Sequence, residues 1–173
     1  MGVVTETITG RQSCKKYTSQ PVKREDIEAV CKAGTYRATG MNRQSPIILA
    51  VTNREIRDRL SKLNADIMGT DKDPFYGAPV VLVVLADKKV PTHVYDGSIV
   101  MANMMIAAEE LGLGACWIHR AKEEFETEYG KELLKKLGVE GEYEGIGNLI
   151  LGYRDGEKGP QKPRKENYVF FVE

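Results

Sequence analysis

The sequence has no surplus of either charge: 25 Lys and Arg balance 25 Asp and Glu over 173 residues. Proteins that coat nucleic acid or lie on a membrane surface reward a basic excess over a whole face, so neither partner is expected. No apolar run approaches the roughly 18 residues of a membrane span. The opening "MGVVTETITGRQ" also lacks the basic-then-apolar order of a secretory leader, and the expected address is cytoplasmic. Cysteine is scarce, and the 3 residues at positions 14, 31 and 116 are odd in number and far apart, which excludes a disulfide framework and a zinc cluster. Cys116 and His119 stand close together, but a tetrahedral site needs a second pair of ligands, so no metal is expected. The patterns G-x-G-x-x-G and G-x-x-x-x-G-K-[ST] are missing too, which disfavours a Rossmann or P-loop nucleotide site. With 42% hydrophobic and 29% charged residues, residues 1–173 read as a single soluble globular domain around one core.

What is present is local positive charge. "GRQSCKKY", Gly10 to Tyr17, gathers Arg11, Lys15 and Lys16 around Ser13, with no acid until Glu25, and "QKPRK", Gln161 to Lys165, repeats the theme near the other end. An Arg fork pairs bidentately with phosphate oxygens, Lys adds a point charge and Ser a neutral donor, so the two segments joined would make a phosphate clamp. On composition alone, solvated surface charge is the commoner outcome for such clusters.

Between the clusters the chain alternates core elements and loops. Thr5 to about Tyr17 reads as a helix weakened by Gly10 and broken at "SQPV", and Lys23 to Tyr36 as a better one, with Ile27, Val30, Cys31 and Gly34 at helical spacing. Arg37 to Pro46 is a polar loop into a strand over Ile47–Val51; Asn53 caps a helix through about Leu63, and Met68 to Gly77 reads as a mobile connection. "APVVLVVLA", Ala78 to Ala86, suits a central strand covered on both faces by helices. Asp96 is expected to cap a core helix over Ile99–Leu111 that ends at Gly112. Its Met101, Met104 and Met105 read as core, and Asn103 as a hydrogen-bonded core amide. "LGLGACW" reads as a glycine-broken turn where backbone approaches a flat ligand, with Gly114 unexplained by capping alone. A helix with a solvated charged face follows from about Lys122 to Leu137, then a strand over Ile146–Tyr153, a Pro/Gly-rich basic stretch and a strand-like "NYVFFVE".

Taken in order, "GRQSCKKY", "ATGMNRQSP", "GAPVVLVV", "AAEELGLGACWI", and "LILGY" followed by "KPRK" resemble the nitroreductase-like flavoproteins over nearly the whole chain. The resemblance implies an α+β fold, a three-layer α-β-α arrangement around a mainly antiparallel sheet, in a homodimer with FMN at the subunit interface and the C-terminal strand exchanged between subunits. By similarity, Arg11, Gln12, Ser13 and Lys15 meet the FMN phosphate and ribityl chain, joined by Lys162 and Arg164. Thr39, Gly40 and Asn42 match the loop that reaches the flavin from the other subunit, and Ile118 and His119 pass the flavin ring. The implied reaction is ping-pong, with NADH or NADPH as donor and a small electron-poor molecule, a nitroaromatic or quinone, as acceptor. No catalytic acid or base side chain is required, since the flavin carries the chemistry. Gln12 stands where a second cation is common, and His119-Arg120 where a small residue is common; both leave open a flavin-binding sensor or store with little turnover.

Overall fold

The computed structural model describes residues 2–173, and among these it contains six α-helices and four strands. In chain order they are α1 (Val3–Gly10), α2 (Arg24–Thr35), β1 (Pro46–Val51), α3 (Arg54–Met68), β2 (Val80–Asp87), α4 (His93–Glu110), β3 (Gly114–Ile118), α5 (Ala121–Glu126), α6 (Glu128–Lys136) and β4 (Tyr143–Gly152). The strands form one antiparallel sheet in the order β1-β2-β4-β3, so β1 and β3 are its two edges. Among the described residues no helix is long and apolar enough to cross a membrane.

Strand β2 sets the layers. Its residues are buried on both faces, and because side chains alternate, Val80, Leu82, Val84 and Ala86 pack toward one side and Val81, Val83 and Leu85 toward the other. The first side holds Ile27 and Val30 of α2 with Val100, Met101, Met104 and Ala108 of α4. Leu60 of α3, Phe125 of α5, and Leu133 and Leu134 of α6 fill the second. The expected three-layer α-β-α fold is therefore present. Met101 and Met104 are core residues, and the Asn103 amide donates to the carbonyls of Ala33 and Tyr36, tying α4 to the end of α2.

Four local expectations need correction. The helix begun at Val3 stops at Gly10, Arg11 leaves it in an extended conformation, and residues 11–17 are not helical. Helix α4 starts at His93, so Asp96 lies inside its first turn and its carboxylate serves a neighbouring loop. The stretch read as a glycine turn contains β3, hidden by its brevity, by Gly112 just before it and by Gly114 at its start. The last charged helix is two, broken at Thr127, whose hydroxyl accepts from the Gly130 amide to cap α6 and donates to the Glu124 carbonyl to close α5. Asn53 caps α3 as expected, accepting from the Ile56 amide at 3.0 Å.

Candidate functional site

Residues 11–17 are not helical because they pair with the sheet edge. The Cys14 amide donates to the Ala115 carbonyl at 2.9 Å, Tyr17 bridges Arg154, and the Thr18 amide donates to the Tyr153 carbonyl. Cys14 is fully buried, and it explains Gly114: a Cβ there would lie 2.6 Å from the Cys14 sulfur. That glycine serves a side-chain contact, where close approach of a flat ligand had been expected. Ser13 and Lys15, the neighbours of buried Cys14, are both exposed. Arg11 is half-buried, and its Nη1 is shut away from solvent with no hydrogen-bond partner.

The two basic segments do approach one another. The Gln12 amide donates to the Gly159 carbonyl at 2.8 Å, the Lys158 ammonium to the Gly10 carbonyl at 3.2 Å, and the Gln161 amide to the Thr9 carbonyl. Arg154 adds a bond from its guanidinium to the Gln12 carbonyl at 3.0 Å. Gln12 thus fastens the tail to the first cluster. Lys162 and Arg164 follow directly on this docked stretch and stay exposed, with Arg164 donating only to the Lys162 carbonyl.

Beside Lys15 lies a cleft of about 270 Å³, walled by the loop after α3 and by residues 116–120 at the end of β3. The loop was expected to be mobile and is instead held by Asp73. Its carboxylate accepts from the Ser61 hydroxyl, from the Arg57 guanidinium at 2.8 Å, and from the Phe75 and Gly77 amides at 2.8 and 2.7 Å. Burial alone would raise this carboxyl, but the bonds from Ser61, Arg57 and the two amides outweigh it and hold it below the ordinary carboxylate value. The loop so fixed sets the Tyr76 ring against the Lys15 ammonium, 5.3 Å from the ring centre. Lys15, Lys72 and Arg120 all line the cleft, and among the described residues none of them forms an ion pair, while Asp73 already has its donors. The cleft is therefore electropositive in a chain of zero net charge.

Ile118 and His119 both line this cleft, the first buried and the second exposed. Behind them sits a group that the sequence reading missed. Glu124, expected on a solvated face, is fully buried; its Oε1 accepts from Asn64 at 2.6 Å and its Oε2 from Asn148 at 2.8 Å. Burial pushes its carboxyl up to about 7, against the lowering effect of the two amides. Asn64 also donates to the His119 carbonyl at 2.8 Å. The available signal was an amide inside each of two packed elements, Asn64 on α3 and Asn148 on β4, since buried amides need polar partners.

The loop carrying Thr39, Gly40 and Asn42 lies elsewhere. Asp96, buried and accepting from Ser45 at 2.8 Å, Thr92 at 3.1 Å and the Gly40 amide at 3.2 Å, pins it to the start of α4. Thr39 accepts from the Gln44 amide and Asn42 from the Gln44 side chain, while Met41, Asn42 and Gln44 all take positive φ. A Cβ on Gly40 would come within 2.5 Å of the Thr92 hydroxyl. The loop feeds β1, the sheet edge opposite β3, and none of its residues lines the cleft beside Lys15.

The family model described as "Nitroreductase family" matches residues 8–153. The chain belongs to the nitroreductase family. The match takes in the extended cluster, the Thr39–Asn42 loop and the β3 wall of the cleft, and it ends before Lys162 and Arg164. A Methanothermobacter thermautotrophicus protein provisionally named NADH dehydrogenase/NAD(P)H nitroreductase is 30% identical over 123 residues, 66% of this chain and 59% of its own length. The Bacillus subtilis FMN reductase [NAD(P)H] is 24% identical over 95% of this chain and 70% of its own. Among solved structures, a Bacteroides fragilis nitroreductase with bound FMN superposes with a TM-score of 0.90 at 25% identity, covering 100% of both chains.

Proposed function

We propose that this nitroreductase-family chain is a single-domain FMN-dependent oxidoreductase that takes electrons from NADH or NADPH and passes them to small electron-poor acceptors, nitroaromatics or quinones. The observation that carries the reading is Arg11 Nη1, a buried guanidinium nitrogen without a partner, set in a cationic segment beside an electropositive cleft. An unpaired buried donor of this kind is costly, and a phosphate oxygen is the acceptor that would satisfy it. The residues present therefore fit the cofactor named for the relatives.

In this reading Arg11, Ser13 and Lys15 hold the FMN phosphate, and Gln12 contributes chiefly by fastening the tail that carries Lys162 and Arg164 toward it. Ile118 and His119 offer backbone and a ring-edge donor along the flavin. Bound FMN supplies the hydride-accepting and electron-donating centre. The chain itself orients donor and acceptor by turns in one cleft, the arrangement that a ping-pong scheme needs. Lys15, Lys72 and Arg120 attract the anionic nicotinamide nucleotide.

A homodimer completes the site. Thr39, Gly40 and Asn42 lie across the sheet from the cleft, so a second copy must bring its own loop to serve the flavin. Support for such pairing comes from the β1 edge, which is flanked by a mixed groove of about 460 Å³ and a more apolar one of about 390 Å³, and from the tail residues Tyr168–Val172, all exposed. The run expected to be strand-like forms no strand within its own chain, and an unpaired sheet edge and an unpaired apolar tail are the two halves of an exchange. Titrating apoprotein with FMN, then measuring initial rates at several donor and acceptor concentrations, tests the function. Tight binding and parallel double-reciprocal lines are expected. A protein that binds no FMN would sink the proposal, and one that binds it without turnover would make the chain a flavin sensor or store.

A further inference from the structure

Arg120 follows the cleft wall with φ 76, in the left-handed region that costs a side-chain-bearing residue about 1–2 kcal/mol. Such a conformation persists where its surroundings fix it on both sides. Here the carbonyl before it, on His119, accepts from Asn64, and its own carbonyl accepts from the Glu124 amide at 3.0 Å. We propose that Asn64 and Glu124 form a positioning pair for the cleft, which holds the His119 carbonyl, and so the Ile118–Arg120 backbone, in place whether Glu124 is charged or neutral.

The asymmetry of the cluster carries the argument. The Asn64 Nδ2 donates both to His119 O and to Glu124 Oε1, and turning that amide over would set Oδ1 against the His119 carbonyl, acceptor against acceptor. Asn64 is thereby locked. Asn148 donates to Glu124 alone, and its Oδ1, like that of Asn64, has no partner, so nothing fixes which way it turns. When Glu124 gains a proton on Oε2, Asn148 can turn so that its Oδ1 accepts the new O–H, while Oε1 continues to hold Asn64. The charged groups acting on the carboxyl are Glu123 on its own helix and Arg120 at that helix's start; α3 and β4 present it with neutral amides. Helix α5 cannot easily lift to relieve a fault, because it lies so close on β4 that a Cβ at Gly145 would come 2.1 Å from the Ala121 carbonyl. The cluster thus adapts to protonation on its β4 side and leaves the cleft side still.

The test compares Asn64→Ala, Glu124→Ala, their double variant and Glu124→Gln, by FMN affinity and by emission of the apoprotein's single tryptophan, Trp117, which lines the cleft. Each Ala variant should weaken FMN binding by about tenfold, the worth of one or two hydrogen bonds. The double variant should bind no worse than the weaker single one, since one linkage is broken in each. Glu124→Gln, whose side-chain amide can donate to a turned Asn148, should stay within about twofold of wild type at acid and alkaline pH alike and restore the wild-type Trp117 emission. Should Glu124→Ala be insoluble, Asn64→Ser against Glu124→Gln carries the comparison. Unchanged FMN affinity and emission in Asn64→Ala would overturn the proposal, as would Glu124→Gln proving as damaging as the Ala variants. The FMN readout rests on the proposed function; if wild type bound no FMN, that function would fall while Trp117 emission still decided the pair.

Discussion

Replacing Glu124 by Gln should change how the stability of the protein depends on pH. A glutamate ordinarily ionises near 4.5, and the folded chain raises Glu124 to about 7 by burying it. The folded state therefore binds that proton more tightly than the unfolded state does. Its stabilising effect is complete below the ordinary value and is lost as pH rises through about 7. At roughly 1.4 kcal/mol per pH unit the ceiling is about 3 kcal/mol, most of which falls between pH 5 and pH 8. The substituted glutamine would fill the same space without a charge and donate to the Asn148 oxygen that now lacks a partner. Urea unfolding followed by Trp117 fluorescence, at about pH 5 and about pH 8, measures the difference. From the lower pH to the higher, wild type should lose roughly 2–3 kcal/mol relative to the Gln variant. Parallel pH dependence in the two proteins would show that Glu124 ionises normally and would refute the reasoning.

Other perturbations bear on the cluster, the strand contact and the dimer. Arg11→Ala should weaken FMN binding by roughly 1.5–3 kcal/mol, the scale of a charge-assisted hydrogen bond, in a calorimetric titration; wild-type affinity would place that guanidinium outside the ligand site. Arg164→Ala should do the same in the dimer, although its side chain is exposed in the single chain. Gly114→Ala drives a methyl into Cys14 and should lower stability by about 1–3 kcal/mol in thermal unfolding, with no loss expected if the two segments part in solution. Deleting residues from Asn167 onward should give aggregated protein in light scattering, since the β1 edge would lose its cover; a soluble folded monomer would end the exchange model.

Much of the fold was legible because burial writes itself into sequence. The all-apolar β2 run announced a strand covered on both faces, and the spacing of Ile27, Val30 and Gly34 marked α2. Errors arose where one element was decided by another. Residues 11–17 have nothing locally against a helix; pairing with Ala115 and Arg154 decides their shape. Asp96 looks like a cap by position, yet its bonds run to Gly40 and Ser45, 56 and 51 residues away. Strand β3 is short, begins at Gly114 and follows Gly112 closely, so its pattern is weak, although its pairing to β4 builds the cleft wall. Motif order makes Arg11, Ser13, Lys15, Ile118 and His119 candidates, and in the fold the Cys14–Ala115 contact sets their two segments side by side, with Lys15, Ile118 and His119 lining one cleft. Glu124 could not, because only the folded chain brings Asn64 and Asn148, 60 and 24 residues distant, to its two oxygens.

The central claim is that flavin bound in the Arg11–Lys15 cleft carries electrons from a nicotinamide donor. An absorbance spectrum of freshly purified protein across the near-ultraviolet and visible, repeated anaerobically after NADH and then NADPH, tests it most directly. Flavin bands that bleach on adding one donor and return when a quinone is admitted are the predicted result. Protein without such bands even after incubation with FMN would contradict the account.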